Sequence, residues 1–249
     1  MTLPANPRRF YRIATTLETE GGFAISLDGR IPKTPARANL ILPNLAVAQL
    51  VAAEWDAQGE AVIPASMPLT RLVNVAIDRA EVTRNAMIDE VVKYAGTDLV
   101  CYRAPSPKTL VAAQADAWDR LMDWAGRTHD VHMINTYDAM AIPQPAASLQ
   151  ALRAVIKPLD KWHLTALAFA NGLTGSAIVA LALIHRFIDG ETAFKAIRVE
   201  ENWQASRWGA DPDEEFVANA RRLDLMAVAA LVKAYPISQL LAGYENKLI

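Results

Sequence analysis

The stretch LTALAFANGLTGSAIVALALI, residues 164–184, is the longest apolar run in the chain, and its reading decides between a membrane protein and a globular one. A spanning helix needs about 20 mainly apolar residues. Asn171, Gly172, Thr174, Gly175 and Ser176 crowd the centre of this run, where a spanning helix rarely places such a cluster. The stretch therefore reads as two buried helices joined by a tight turn, and no membrane insertion is expected.

Outward from that pair the pattern stays helical. Helices are expected near 148–157, 160–170, 175–188, 191–208 and 213–234. Upstream, Ile88, Val91, Val92 and Ala95 share one helical face, and Val111, Trp118, Met122 and Ala125 share another. APSPK at 104–108 and MAIPQPAAS at 140–148 are breaks.

The first forty residues have a different period. In GGFAISLDGRIPKTP, residues 21–35, Phe23, Ile25 and Leu27 alternate as in a strand, and Asp28-Gly29 supplies a positive-φ pair suited to a hairpin turn. RFYRIATTLE before it and NLILP after it extend the same sheet. Asn44 is a helix N-cap, after which Val47, Val51 and Trp55 form an amphipathic stripe. Strands first and helices afterwards predict an α+β chain. Its small N-terminal antiparallel sheet with a packed helix, residues 1–90, precedes a helical bundle, residues 91–249, with the boundary between residues 80 and 108.

Composition narrows the function. Of the 249 residues 52% are hydrophobic, enough for a large core, and Lys+Arg 25 against Asp+Glu 27 gives a net charge of -2 with no run of either sign. No electrostatic footprint for nucleic acid is present. The single cysteine, Cys101, excludes an internal disulfide and a cysteine zinc set, and its apolar neighbours in TDLVCYRA mark a buried thiol with a raised pKa rather than a nucleophile. HDVH at 129–132 lacks the spacing of a specific metal site and reads as solvated loop histidines, while His163 and His185 read as core or helix-end residues. There is no GxSxG elbow, and NGLTGS lacks the lysine of a phosphate-cradling loop. Catalytic residues, metal ligands and cofactors are accordingly expected to be none. MTLPANPRRF carries no apolar run of the kind a secretory signal needs, and a cytoplasmic protein is expected.

EENWQASRWG, residues 200–209, is the unusual element. On one helix from Glu191 to Trp208, the residues Phe194, Ile197, Glu201, Gln204 and Trp208 fall within an arc of roughly 80°. A carboxylate and an amide thus occupy positions that a bundle helix gives to Leu or Val. Glu201 has to be paired, protonated or left accessible, since an unpaired buried carboxylate is costly. Two readings follow: a polar pair that fixes helix register, or a mixed polar and aromatic face with Trp208 as an anchor for a partner. Trp203, about 140° around the helix from Trp208, is assigned to the core. Asp211, Asp213, Glu214 and Glu215 open the next helix, where negative charge also suits the helix dipole.

Several motifs in one order give the chain a resemblance: FY near residue 10, LDGRIPKTP at 27–35, AEWDAQGE at 53–60, MPLTRLVNVAID at 67–78, YAGTDLVCYRA at 94–104, SAIVALAL at 176–183 and EENWQASRWG. From about Arg9 to Leu231 it resembles the assembly chaperones of the F-type ATP synthase that bind the free alpha subunit of the catalytic sector. The resemblance implies an α+β N-terminal part, an orthogonal helical bundle, no catalysis, and an alpha-subunit partner. Members of that family act in the mitochondrial matrix or the bacterial cytoplasm, and the free chaperone is expected to be a monomer. The partner-binding residues expected are Glu200, Glu201, Gln204, Trp208, Gly209, Asp211 and Glu214. The alternative is a small-molecule enzyme using Glu201 as general acid in a helical groove.

Overall fold

The structure, a computed structural model, describes residues 7–137, 140, 142–209 and 211–237. Strands β1 (Ala14–Thr19), β2 (Gly22–Leu27) and β3 (Ile41–Leu42) form one antiparallel sheet in the order β1-β2-β3. Helices α1 (Leu45–Asp56), α2 (Pro68–Asp78), α3 (Ala80–Ala95), α4 (Lys108–His129) and α5 (Ala146–Ile156) follow. The remainder is α6 (Lys161–Thr174), α7 (Ala177–Ile184), α8 (Gly190–Ile197), α9 (Val199–Trp208) and α10 (Pro212–Ala234). The α+β expectation holds.

The apolar run 164–184 is a helix pair. Gly175 adopts φ 64°, a left-handed conformation that costs a residue without Cβ nothing, and it ends α6. Ser176 then caps α7, its side chain accepting from Val179 N at 3.0 Å. All eight residues of α7 are buried, and no helix among the described residues is long and apolar enough to cross a membrane. Around this pair one continuous buried cluster runs from Tyr11 and Ile25 to Leu231 and Ile237.

Asn44 caps α1 as expected, accepting from Val47 N at 2.9 Å, and its amide also donates to the Ala234 carbonyl at the end of α10. His163 is a satisfied helix-start histidine whose ring nitrogens meet Asp160 Oδ1 and the Tyr235 carbonyl, each at 2.8 Å.

Two expectations are corrected. Asp28-Gly29 closes only a tight turn between Leu27 and Arg30, while the β1–β2 hairpin turns at Glu20-Gly21, with Thr19 opposite Gly22. The Asp28 carboxylate accepts the N–H groups of Arg12 and Ile13 at 2.9 and 3.0 Å instead, which holds its pKa below the ordinary carboxylate value.

The single helix expected over 191–208 is broken at Arg198, whose φ −116° and ψ 21° leave the helical region. No glycine or proline marks the break. A tertiary contact imposes it: the largely buried Arg198 side chain lies 5.8 Å over the Phe194 ring and pairs with Glu214 at 3.0 Å.

Candidate functional site

The break divides the expected seam. Ile197 and Val199 are buried, Phe194 and Glu201 are half-buried, and Gln204 and Trp208 face solvent, Trp208 with 74% of its surface exposed. A register-fixing polar pair inside the bundle is therefore absent at Gln204 and Trp208. Neither the Glu201 nor the Gln204 side chain has a hydrogen-bond or ion-pair partner among the described residues. Both remain available on the solvent side of α9.

Trp203, assigned to the core from the sequence, is also corrected. It stands half-buried at the edge of α9, where its Nε1 donates to Thr109 Oγ1 at 3.1 Å and the Arg207 guanidinium lies 4.3 Å over its ring. The 140° separation from Trp208 does not keep the two apart, because large rings at the last turn reach around it. Their centroids are 5.8 Å apart in an edge contact.

Two polar links fix this region to the bundle. Gln114 of α4, buried, donates to Glu200 Oε1 at 2.7 Å while its own Oε1 accepts from Ala104 N at 2.8 Å. Glu214 is held by Arg198. Asp211 caps α10, accepting from Asp213 N at 2.9 Å. Of the acidic residues singled out, Glu200, Asp211 and Glu214 thus carry structural bonds, and Glu201 does not.

Gly209 makes the turn between α9 and α10 at φ 90° and ψ 158°, a conformation essentially reserved for glycine. Beyond it, Phe216 and Val217 on α10 are exposed, Phe216 at 81%. Sequence reasoning missed this pair. The available signal was two apolar residues directly after the acidic run DPDEE, on a helix turn that capping alone explains. Trp208 and Phe216 are thus exposed aromatic rings on successive helices, with carboxylates between them in sequence.

The other chemical candidates resolve differently. Cys101 is buried, and desolvation, with the Asp98 charge adding, pushes its thiol up to about 12, as expected of an inert cysteine. The HDVH histidines do not converge. His129, expected in solvated loop, ends α4 and packs against Trp124 and His185, with ring centroids 5.0 and 4.6 Å away. His132 lies against Gly126, where a Cβ would meet its ring at 2.8 Å. Among the described residues no group of three or more His, Cys, Asp or Glu side chains could hold a metal ion.

Most remaining motifs join one another. Glu54 of AEWDAQGE accepts Leu69 N at 2.8 Å, Thr70 N at 2.7 Å and Thr70 Oγ1 at 2.7 Å, capping α2 within MPLTRLVNVAID. Asp78 at the end of that motif accepts from Thr34 Oγ1 and from Ala36 N, next to LDGRIPKTP. Asp98 of YAGTDLVCYRA accepts from Ile178 N in SAIVALAL. These bonds tie the scaffold elements together, whereas EENWQASRWG carries the exposed Gln204 and Trp208.

The family model described as ATP12 chaperone protein matches residues 8–126, the part that contains most of the scaffold motifs. The crystal structure of Atp12 from Paracoccus denitrificans is 38% identical, with TM-score 0.83 over 92% of this chain and 98% of that one. A crystal structure of a protein from Agrobacterium tumefaciens is 37% identical, with TM-score 0.86 over 92% of this chain and 86% of that one. The mitochondrial protein atp12 of Schizosaccharomyces pombe is 24% identical over 237 residues, 90% of this chain and 81% of that protein.

Proposed function

The chain belongs to the ATP12 chaperone protein family, and from that premise we propose that it binds the free alpha subunit of the F-type ATP synthase catalytic sector until beta subunits displace it. A subunit waiting for its neighbours exposes an interface that is apolar at its core, and free copies aggregate through it. A chaperone that must later leave benefits from a contact that is partly polar. The observation that carries this reading is the pairing of exposed aromatic rings, Trp208 at 74% and Phe216 at 81%, with carboxylates and an amide on helices anchored to the bundle.

In this reading Trp208 is the anchor, Glu201 and Gln204 supply the unpartnered polar contacts, and Glu200, Asp211, Glu214 and the Gly209 turn set their geometry. The protein acts as a monomer in the bacterial cytoplasm, without catalysis or cofactor. A general-acid role for Glu201 has no comparable support, since the cleft of about 560 Å³ beside α9 is lined by Val199, Asn202 and Trp203 and not by Glu201.

Co-purification tests the proposal. Cognate alpha subunit is expressed without beta, together with wild-type chaperone or Glu201→Lys, and circular dichroism checks the fold of each. Wild type is expected to retain soluble alpha subunit and the folded variant to lose most of it. Failure of wild type to retain it would reject the assignment.

A further inference from the structure

Between α4, α8 and α9 lies an open cleft of about 560 Å³, large enough for several side chains. Its floor is apolar and made of small residues, Ala113 and Ala117 one turn apart on α4 with Ala196 and Val199 opposite. Trp203 forms one wall, held in place by its bond to Thr109 and by Arg207 over its ring. Arg120 and Lys195 stand at the rim, both exposed.

The rim carries two cations, whereas the α9 face beside it carries the unpaired Glu201. Neither Arg120 nor Lys195 has a salt-bridge partner among the described residues; Arg120 lies over the Phe187 ring at 5.0 Å. Of the carboxylates that feel the Lys195 charge, Glu191 is paired with Arg222 and Asp189 accepts from Thr192 N, and neither forms an ion pair with Lys195. Asp116 is the single anion of the lining. Two cations over an apolar floor complement a ligand with an apolar body and a carboxylate.

We propose that this cleft is a second docking site for the partner, receiving a short segment of the alpha subunit in which an apolar side chain enters the cleft and an adjacent carboxylate pairs with Arg120 and Lys195. The inference rests on the reading of the α9 face as the alpha-subunit contact. Position favours a segment of the same partner over a free metabolite: Trp203 is at once the cleft wall and the ring in edge contact with Trp208, so a chain lying over Trp208 reaches the cleft directly. The two sites together select a segment with both charge signs, basic beside Glu201 and acidic beside Arg120, and reject a uniformly charged one.

The test titrates isolated alpha subunit against wild type and the double variant Arg120→Glu, Lys195→Glu. Wild type is expected to bind, and the double variant to bind at least about tenfold more weakly, with a flatter salt dependence. A second readout leaves the charges intact. A photoreactive cross-linker on Ala117→Cys, selective because Cys101 is buried, is expected to capture an alpha-subunit peptide with Asp or Glu beside an apolar residue. Binding by the double variant within twofold of wild type overturns the inference and leaves the functional reading standing. So does a cross-linked peptide without a carboxylate. Silence of wild type itself rejects the functional reading, and the inference with it. A thermal shift of wild type by succinate that the double variant loses, with alpha-subunit affinity unchanged, would assign the cleft to a small dicarboxylate and also overturn the proposal.

Discussion

Asp98 Oδ2 accepts the backbone N–H of Ile178 at 3.1 Å, joining residues eighty positions apart at the N-terminus of α7. Its Oδ1 accepts from Val100 N at 3.2 Å, Ser176 adds a side-chain bond, and the residue is fully buried. Asp98→Ala leaves buried donors at the start of the central helix without an acceptor and is expected to cost about 2–4 kcal/mol. Urea unfolding at pH 7 measures it. Burial raises the Asp98 carboxyl from 3.8 to about 6 against the opposing hydrogen bonds. A folded-state value above the unfolded one gives stability that is complete below about pH 3.8 and lost as pH rises through 6. Asp98→Asn should lack that gain on acidification.

His185 works in the opposite direction. Burial, and then the neighbouring His129, lowers its pKa from 6.5 to about 3, and its ring packs on Trp124 at 5.8 Å. The fold favours the neutral ring, so the contribution is complete above pH 6.5 and lost as pH falls towards 3. The loss approaches about 1.4 kcal/mol per pH unit in that window. His185→Phe keeps an aromatic ring in the cluster and is expected to flatten the stability profile between pH 6 and 4. Thermal unfolding of both proteins at half-unit pH steps decides it, and parallel profiles would remove His185 as the titrating group.

The two tryptophans of EENWQASRWG should separate binding from stability. Trp208 is mostly exposed, so Trp208→Ala is expected to change unfolding free energy by less than about 0.5 kcal/mol. Its effect on alpha-subunit affinity should be about 2 kcal/mol, as for an aromatic anchor. Trp203→Ala removes a wall packed against α4 together with its bond to Thr109, and should lower stability by about 1–2 kcal/mol as well as weaken binding. A Trp208 variant that unfolds early would mean that the ring is structural, and one that binds as wild type does would remove it as the anchor.

What the sequence discloses is what local rules govern. The Asn44 cap, the turn at Gly175, the buried Cys101 and the satisfied His163 each follow from residue type and immediate neighbours, and each is found as expected. The break at Arg198 has no local cause. It depends on Phe194 and Glu214, the second of which is sixteen residues away, and a periodicity carried through it joins α8 and α9 into one seam that the structure divides. The Phe216–Val217 pair was hidden for another reason. Acidic residues in a first helical turn are fully explained by the helix dipole, and that explanation leaves no residue of surprise to direct attention to the apolar pair beyond them.

Gly209 links stability to the candidate surface in one substitution. A Cβ there would meet nothing within 4 Å, so Gly209→Ala tests backbone conformation and not crowding. At φ 90° and ψ 158° alanine is strained by about 1–3 kcal/mol, and the turn can relieve that strain only by reorienting α9 relative to α10. The Arg198–Glu214 pair and the Gln114–Glu200 bond resist such movement at either end. If those bonds hold, stability falls by that amount and alpha-subunit affinity stays within about threefold. If they yield, stability changes by less than about 1 kcal/mol and affinity falls about tenfold or more, because Trp208 moves with α9 relative to α10. The anchoring described above predicts the first result, and unfolding and binding measured on the same variant distinguish the two.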